Sequence, residues 1–204
     1  WGFAGIAVIT TALPLLTLAL VSRLTSPPKP VPAKATPNRT VIAAVARPGF
    51  AMCFAGFGYS SMAFFTVLLS VEEGWELSWA PFTAFSVALV LTRLAFGRLP
   101  DRLGGARTAL IFLALQGAGL AGVMLAGSAI VCILASAVAG LGYAFIYPAL
   151  GREAVRAVQP AQSGTAVAFY SAFLDLSLAL TSPVLGLIAE GEGLRAVFLT
   201  SALA

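Results

Sequence analysis

The stretch Gly97 to Arg107 reads Gly-Arg-Leu-Pro-Asp-Arg-Leu-Gly-Gly-Ala-Arg and separates two long apolar runs. Pro100 and the Gly104-Gly105 pair work against one continuous helix through this stretch. Its single acid, Asp101, has four arginines near it in sequence, which are Arg93, Arg98, Arg102 and Arg107. The sequence therefore predicts two helices that reverse direction at a short, strongly basic turn.

The composition is typical of a membrane protein. Hydrophobic residues make up 59% of the 204 residues and charged residues 10%, with a mean hydropathy of +0.96, whereas a soluble domain has about 25% charged residues. There is no histidine, and Cys53 and Cys132 lie in apolar runs, so structural disulfides, Cys/His zinc sites and histidine-based catalysis are disfavoured. We predict no catalytic residue, no metal and no cofactor, and we ascribe the net charge of +4 to membrane topology rather than to nucleic acid.

Apolar segments of membrane length fill most of the chain. A helix needs about 20 apolar residues to cross a bilayer, and six segments have about this length while a seventh is cut off at Ala204. The segments are Trp1 to Ser22, Gly49 to Ser70, Ala80 to Gly97, Thr108 to Gly127, Ala129 to Leu150, Gly164 to Ala189, and the run from Leu194.

A proline-rich, basic stretch without any acid follows the first segment. Its five prolines between residues 27 and 37 favour extended chain, so we interpret residues 23–48 as a linker, with a docking site or an anionic-lipid contact as the alternative for its proline-rich part. Near its end, Val41 to Ala46 is a candidate for a short interfacial helix, which Arg47-Pro48-Gly49 would end. The expected fold is all-α and polytopic. It has a transmembrane helix over residues 1–22, the linker over 23–48 and a six-helix bundle over 49–204.

Loop charges predict the orientation in the membrane. Eleven of the twelve cations fall on one side, and Arg195 is the exception. The basic side should be cytoplasmic, because short basic loops resist translocation. Arg93, near the end of its segment, is expected to extend its charged group to the cytoplasmic surface.

The basic turn resembles the Gly-x-Leu-x-Asp-Arg-x-Gly-x-x-x signature of the major facilitator superfamily, which lies between transmembrane helices 2 and 3 and often again between helices 8 and 9. Gly97, Leu99, Asp101, Arg102 and Gly104 occupy the matching positions, and Arg107 falls in the basic cluster that follows. The resemblance implies that residues 1–22 are helix 6 and that the remaining segments are helices 7 to 12. It also implies a partner outside this sequence, the N-terminal half of the same protein.

Two further stretches resemble the YhhS/YfcJ-type group of arabinose-efflux-like permeases within that superfamily. They are Phe145 to Val155, Phe-Ile-Tyr-Pro-Ala-Leu-Gly-Arg-Glu-Ala-Val, and the run from Phe169 to Gly186.

The resemblance implies a gate at the signature turn. The Asp101 carboxylate would cap a helix N-terminus or pair with Arg102 or a neighbouring arginine, in only one of two access states. The simpler interpretation is a cytoplasmic topology anchor. The predicted signature-loop residues are Gly97, Asp101, Arg102, Gly104, Gly105 and Arg107.

Asp175 is the deepest acid in the sequence. It lies eleven residues past Gly164, roughly 16 Å into its helix and close to the bilayer midplane. An ionised carboxylate there costs a few kcal/mol, so it should face protein or a water-filled cavity. We predict that Asp175 carries the coupling proton. The alternative is a structural carboxyl that joins two helices or satisfies backbone groups near Pro183.

A helix bend is predicted after Asp175. Ser182-Pro183-Val184-Leu185-Gly186 resembles the Gly-Pro-x-x-Gly element of antiporter helix 5, although Ser182 replaces the leading glycine. Pro183 and Gly186 would form a bent gate helix, or only a packing kink.

The family plan places helices 7 and 10 around a central cavity. It implies four aromatic side chains that face a substrate or simply pack, which are Phe57, Tyr59, Tyr143 and Tyr147.

These features together predict a secondary active transporter that exports a small metabolite or drug-like compound against proton entry by alternating access. Its expected partners are the lipid bilayer of the bacterial inner membrane, a small-molecule substrate, protons and the N-terminal half of the protein. A half-size transporter that dimerises is the first alternative. A polytopic membrane enzyme is the second, and it is disfavoured because no cluster of nucleophiles, metal ligands or paired carboxylates is present.

Overall fold

The computed structural model describes residues 3–23 and 38–204, and the chain divides into two compact units, residues 1–33 and 34–204. The first unit contains helix α1 (Phe3–Val21), which carries Pro14 inside it. Most of the predicted linker, residues 24–37, lies outside the described residues.

The second unit is a bundle of helices, and its described residues contain no strand. The helices are α2 (Asn38–Ser60), a π-helical turn (Ser61–Phe65), α3 (Thr66–Glu72), α4 (Ala80–Phe96), α5 (Leu99–Leu103), α6 (Gly105–Met124), α7 (Ala129–Tyr143), α8 (Ile146–Arg156), α9 (Ser163–Glu192) and α10 (Leu194–Leu203). Four helical stretches of the described chain are long and apolar enough to cross a membrane, namely Asn38–Glu72, Gly105–Met124, Ala129–Arg156 and Pro160–Glu192. The predicted all-α polytopic bundle is confirmed.

Helix α2 begins eleven residues before the predicted Gly49 start and runs through Pro48. Proline removes one helical hydrogen bond, but Val41 and Val45 lie on one helical face and are fully buried. Packing of these two side chains against the rest of the bundle holds this part of the chain helical although one bond is missing. Residues 38–48 are therefore helical rather than part of an extended linker.

The π-helical turn Ser61–Phe65 joins α2 to α3 without interrupting the helix. The Thr66 hydroxyl donates to the Ser61 carbonyl five residues earlier, at 3.4 Å. Such turns are rare in proteins overall, and those that occur often lie at functional sites. Here the turn begins two residues after Tyr59.

Helix α2 is fixed between α9 and α6 by polar contacts. The Ser177 hydroxyl donates to the Cys53 carbonyl at 2.6 Å, and the Cys53 thiol contacts the Phe173 carbonyl at 3.5 Å. On the other side, the buried Gln116 amide lies 3.5 Å from the Ala55 carbonyl. Because both neighbours hold the backbone of α2, the side chains that α2 presents have a fixed position.

Candidate functional site

A cavity of about 370 Å³ opens between α2, α4, α7, α8 and α9. This volume lies within the range of about 300–1,000 Å³ typical of small-molecule sites. Its lining residues are Tyr59, Leu89, Arg93, Tyr143, Tyr147, Leu174 and Leu178. Three of the four aromatic residues singled out from the sequence are thus brought together, and their contact with a substrate stays a prediction.

Phe57 is the aromatic residue that does not line this cavity. It stacks on Phe54, with ring centroids 6.5 Å apart. Tyr59 instead stacks on Tyr143, with centroids 5.0 Å apart. Residues two apart on an α-helix point about 200° away from each other, so Phe57 and Tyr59 cannot face the same cavity.

Tyr147 is held in place by α9. Its hydroxyl shares a hydrogen bond of 3.0 Å with the Ser171 hydroxyl. Tyr170 donates to the Tyr147 carbonyl at 2.9 Å, and the two tyrosine rings lie 5.2 Å apart. These contacts attach the start of α8 to α9 and fix one wall of the cavity.

Arg93 lines this cavity and is exposed, and the extension of its charged group to the cytoplasmic surface stays a prediction. The predicted segment Ala129 to Leu150 breaks between Tyr143 and Ile146. Pro148 has no N–H to donate to the Ala144 carbonyl, and Arg93 Nε donates to that carbonyl instead, at 2.8 Å. The break in the helix therefore creates the acceptor that positions the guanidinium.

Asp175 lies near the middle of the 30-residue helix α9 and is exposed in the second unit. It follows Leu174, a lining residue, and is one helical turn after Ser171, which binds Tyr147. Across residues 38–204 no side chain forms a hydrogen bond or ion pair with Asp175. The alternative in which Asp175 joins α9 to a neighbouring helix therefore has no partner within the described bundle.

Pro183 and Gly186 lie further along the same helix. Helix α9 continues through Pro183 to Glu192, so proline removes a hydrogen bond without ending the helix. No described atom lies within 4 Å of the position that a Cβ on Gly186 would take. Within the described bundle Gly186 is thus not a close-packing position, and its role in a gate stays a prediction.

The signature turn forms a short helix and one glycine turn. Helix α5 ends at Gly104, whose φ of 82° and ψ of 157° are accessible essentially to glycine alone. Gly105 then begins α6 against α8, because a Cβ there would overlap the Glu153 side chain and the Ala149 carbonyl. The two glycines act differently: Gly104 reverses the chain, and Gly105 permits close packing.

Asp101 pairs with Arg152, a residue of α8 that the sequence did not single out. Arg152 binds the Asp101 carboxylate and donates to the Pro100 carbonyl at 3.0 Å. Asp101 does not cap a helix, and its partner is neither Arg102 nor another arginine of the turn. Gly97, Arg102 and Arg107 are exposed. The pairing joins residues 51 positions apart, so only the fold could reveal it.

Arg195, the exception to the charge rule, forms a cluster at the other end of α6. Its guanidinium donates to the Met124 carbonyl at 2.7 Å and the Ala126 carbonyl at 2.9 Å. It also binds the Glu73 carboxylate at 2.8 and 3.1 Å. The carbonyls at a helix C-terminus attract cations, which explains a cation on the otherwise acidic side.

The fold defines a multi-pass membrane protein, and a cavity of about 370 Å³ lies between its helices. The sequence profile of the Major Facilitator Superfamily matches residues 1–150 and, in a second match, residues 76–204. The chain belongs to the major facilitator superfamily. Membership points to a membrane transporter rather than to an enzyme.

Curated relatives agree with this assignment. An uncharacterized MFS-type transporter of Salmonella typhimurium is 33% identical over 203 residues, which is 98% of this chain and 52% of the relative. YhhS of Salmonella enteritidis is 35% identical over 198 residues, 94% of this chain and 48% of the relative. A transporter of Burkholderia mallei with the same description as the first is 34% identical over 204 residues, 97% of this chain and 50% of the relative. The predicted resemblance to YhhS is confirmed, and the chain spans about half the length of these relatives. No solved structure matches it significantly.

Proposed function

We propose that these residues form the C-terminal half of a secondary transporter in the bacterial inner membrane, which exports a small metabolite or drug-like compound in exchange for protons. The observation that carries the proposal is an exposed, unpaired Asp175 at mid-helix, which directly follows the cavity-lining residue Leu174. A carboxyl at this depth is expensive unless it faces protein or water. In the proposed transport cycle, the Asp175 carboxyl meets water in one access state and is covered by protein in the other.

In this scheme Asp175 binds a proton when the cavity opens to one side and releases it on the other. Substrate occupies the cavity when the proton is absent, so that the two exchange. In the same scheme, the Asp101–Arg152 ion pair couples transport to the change between the two access states. It links the signature turn to α8, whose first turn carries the cavity residue Tyr147. A contact present in only one access state shifts the equilibrium between states.

The test is proton flux in proteoliposomes that contain the full-length transporter. Wild type is compared with Asp175→Asn across a panel of sugars, cationic drugs and organic anions. We expect substrate to trigger proton movement in wild type and no proton movement in the variant, because asparagine cannot take up a proton. Glu192→Gln, an exposed acid at the end of the same helix, is the matched control and should behave as wild type.

Two outcomes would contradict the scheme. If Asp175→Asn moves substrate at the full rate with its proton signal intact, Asp175 is not the proton carrier. If wild type moves substrate with no proton signal, the protein is a transporter without proton coupling.

A further inference from the structure

The charge of the cavity comes from one residue, Arg93. Among the described residues its only recorded partner is the Ala144 carbonyl, which Nε occupies at 2.8 Å. The three ion pairs recorded in the described part of the chain belong to Arg152, Arg156 and Arg195. The two terminal nitrogens of Arg93 therefore keep their donors unused within the described bundle.

The guanidinium is also held in a fixed orientation. Because Pro148 cannot donate to the Ala144 carbonyl, that acceptor is permanently available to Nε. A guanidinium bound through Nε presents its two terminal nitrogens together as a planar fork. This fork matches the two oxygens of a carboxylate, which form the strong bidentate pair with arginine.

The rest of the cavity wall is aromatic and aliphatic. Tyr59 and Tyr143 stack on each other, and Leu89, Leu174 and Leu178 complete the lining. The hydroxyls of Tyr59 and Tyr143 have no hydrogen-bond partner in the part of the chain that the structure describes, so both can bind a polar atom. None of the seven residues that line the cavity is an acid, and Asp175, which follows the lining residue Leu174, is not one of them, so a cationic ligand would meet no counter-charge in the lining itself.

Building on the proposed transport function, we propose that this cavity binds an amphipathic organic anion. The carboxylate of the ligand lies on the terminal nitrogens of Arg93, and its apolar body packs against the tyrosines and leucines. Arg93 is then a substrate-binding residue, and the carbonyl that the helix break leaves free at Ala144 orients its guanidinium.

The test uses the full-length transporter in phosphatidylcholine nanodiscs and three probes of one shape. These are 1-naphthoate, the neutral 1-naphthamide and the cationic 1-naphthylmethylammonium, with binding measured by calorimetry. We expect naphthoate to bind at least about 10-fold more tightly than either of the others, since one charge-assisted hydrogen bond accounts for this factor. This comparison needs no variant, so a folding defect cannot obscure it.

Variants then locate the effect. Arg93→Gln keeps a donor for the Ala144 carbonyl but removes the charge, and it should lose the preference for naphthoate while still binding naphthamide. Arg93→Lys should retain part of the preference. Arg39→Gln removes an exposed cation far from the cavity and should change nothing.

The inference is overturned if wild type prefers the cation, or if folded Arg93→Gln keeps the full preference for naphthoate. A different result would contradict the transport proposal alone. Naphthoate would bind through Arg93, but no substrate would move in proteoliposomes.

Discussion

The two ends of α6 are held by arginines in different ways. At the Met124 end, Arg195 makes four hydrogen bonds, two to backbone carbonyls and two to Glu73. Just before the Gly105 end, Arg152 binds two groups of α5, the Pro100 carbonyl and the carboxylate of Asp101, whose side chain is 70% exposed against 31% for Glu73. Exposed ion pairs contribute little to stability and exchange readily with water. The Arg195 cluster therefore has more contacts to hold it closed than the Asp101–Arg152 pair has, which agrees with our proposal that the pair opens during transport.

Arg152 and Arg195 each lie near a glycine turn, and the two turns have nearly the same backbone angles. Gly104 separates α5 from α6 with φ 82° and ψ 157°, and Gly193 separates α9 from α10 with φ 86° and ψ 167°. Each glycine N–H binds a carbonyl four residues earlier at 3.1 Å. The two turns share a conformation, so the side chains around them account for the difference.

The largest effect is expected from Arg195→Gln. It removes the charge from four hydrogen bonds and leaves the carbonyls of Met124 and Ala126 with a weaker donor or none. Charged hydrogen bonds contribute about 1.5–3 kcal/mol each, and part is regained from water, so we expect a loss of about 3 kcal/mol. Unfolding by SDS in mixed micelles measures it, with Arg39→Gln as the exposed control. A loss below about 1 kcal/mol would remove the distinction between the two ends.

An intermediate effect is expected from alanine at either glycine turn. Both positions have backbone angles that L-residues rarely adopt, and the strain costs about 1–3 kcal/mol. Gly104→Ala and Gly193→Ala should therefore destabilise the protein equally in the same unfolding assay. Gly127→Ala is the control, since Gly127 has an ordinary φ and open space around it. Unequal losses would show that the turns differ in backbone and not only in side chains.

The smallest effect on stability is expected from Asp101→Asn. An exposed pair contributes about 0–1 kcal/mol, so unfolding should change within that range. Under the proposed transport scheme, transport should nevertheless change, because the pair would then be present in only one access state. Exchanging the charges, Asp101→Arg with Arg152→Asp, should restore the wild-type rate. A destabilisation as large as that of Arg195→Gln would instead make the pair a permanent contact.

The sequence predicted the helices well because membrane length and apolar composition leave few alternatives. It also predicted the turn at Gly104, since proline and paired glycines act locally. It could not predict that Pro48 remains inside α2, because the compensating burial of Val41 and Val45 depends on contacts with other helices.

The cavity was partly predictable for a related reason. The family plan led to Tyr59, Tyr143 and Tyr147, which line the cavity, and to Phe57, which does not line it because it lies about 200° from Tyr59 around the helix. The contact of Arg93 with the Ala144 carbonyl was not predictable, because the two residues are 51 positions apart in the sequence. A local signal did exist: a proline always leaves the carbonyl four residues before it without a helical donor.

At the π-helical turn Ser61–Phe65, the deletion of one residue should have a smaller structural effect than elsewhere in the bundle. A π turn holds one residue more than the α-helix that could replace it. Deleting one residue there would let the segment become α-helical while α2 and α3 keep their facing. Elsewhere in the bundle a single deletion would rotate all following side chains of a helix by about 100°. Homologues that lack one residue at this point can therefore keep the same cavity.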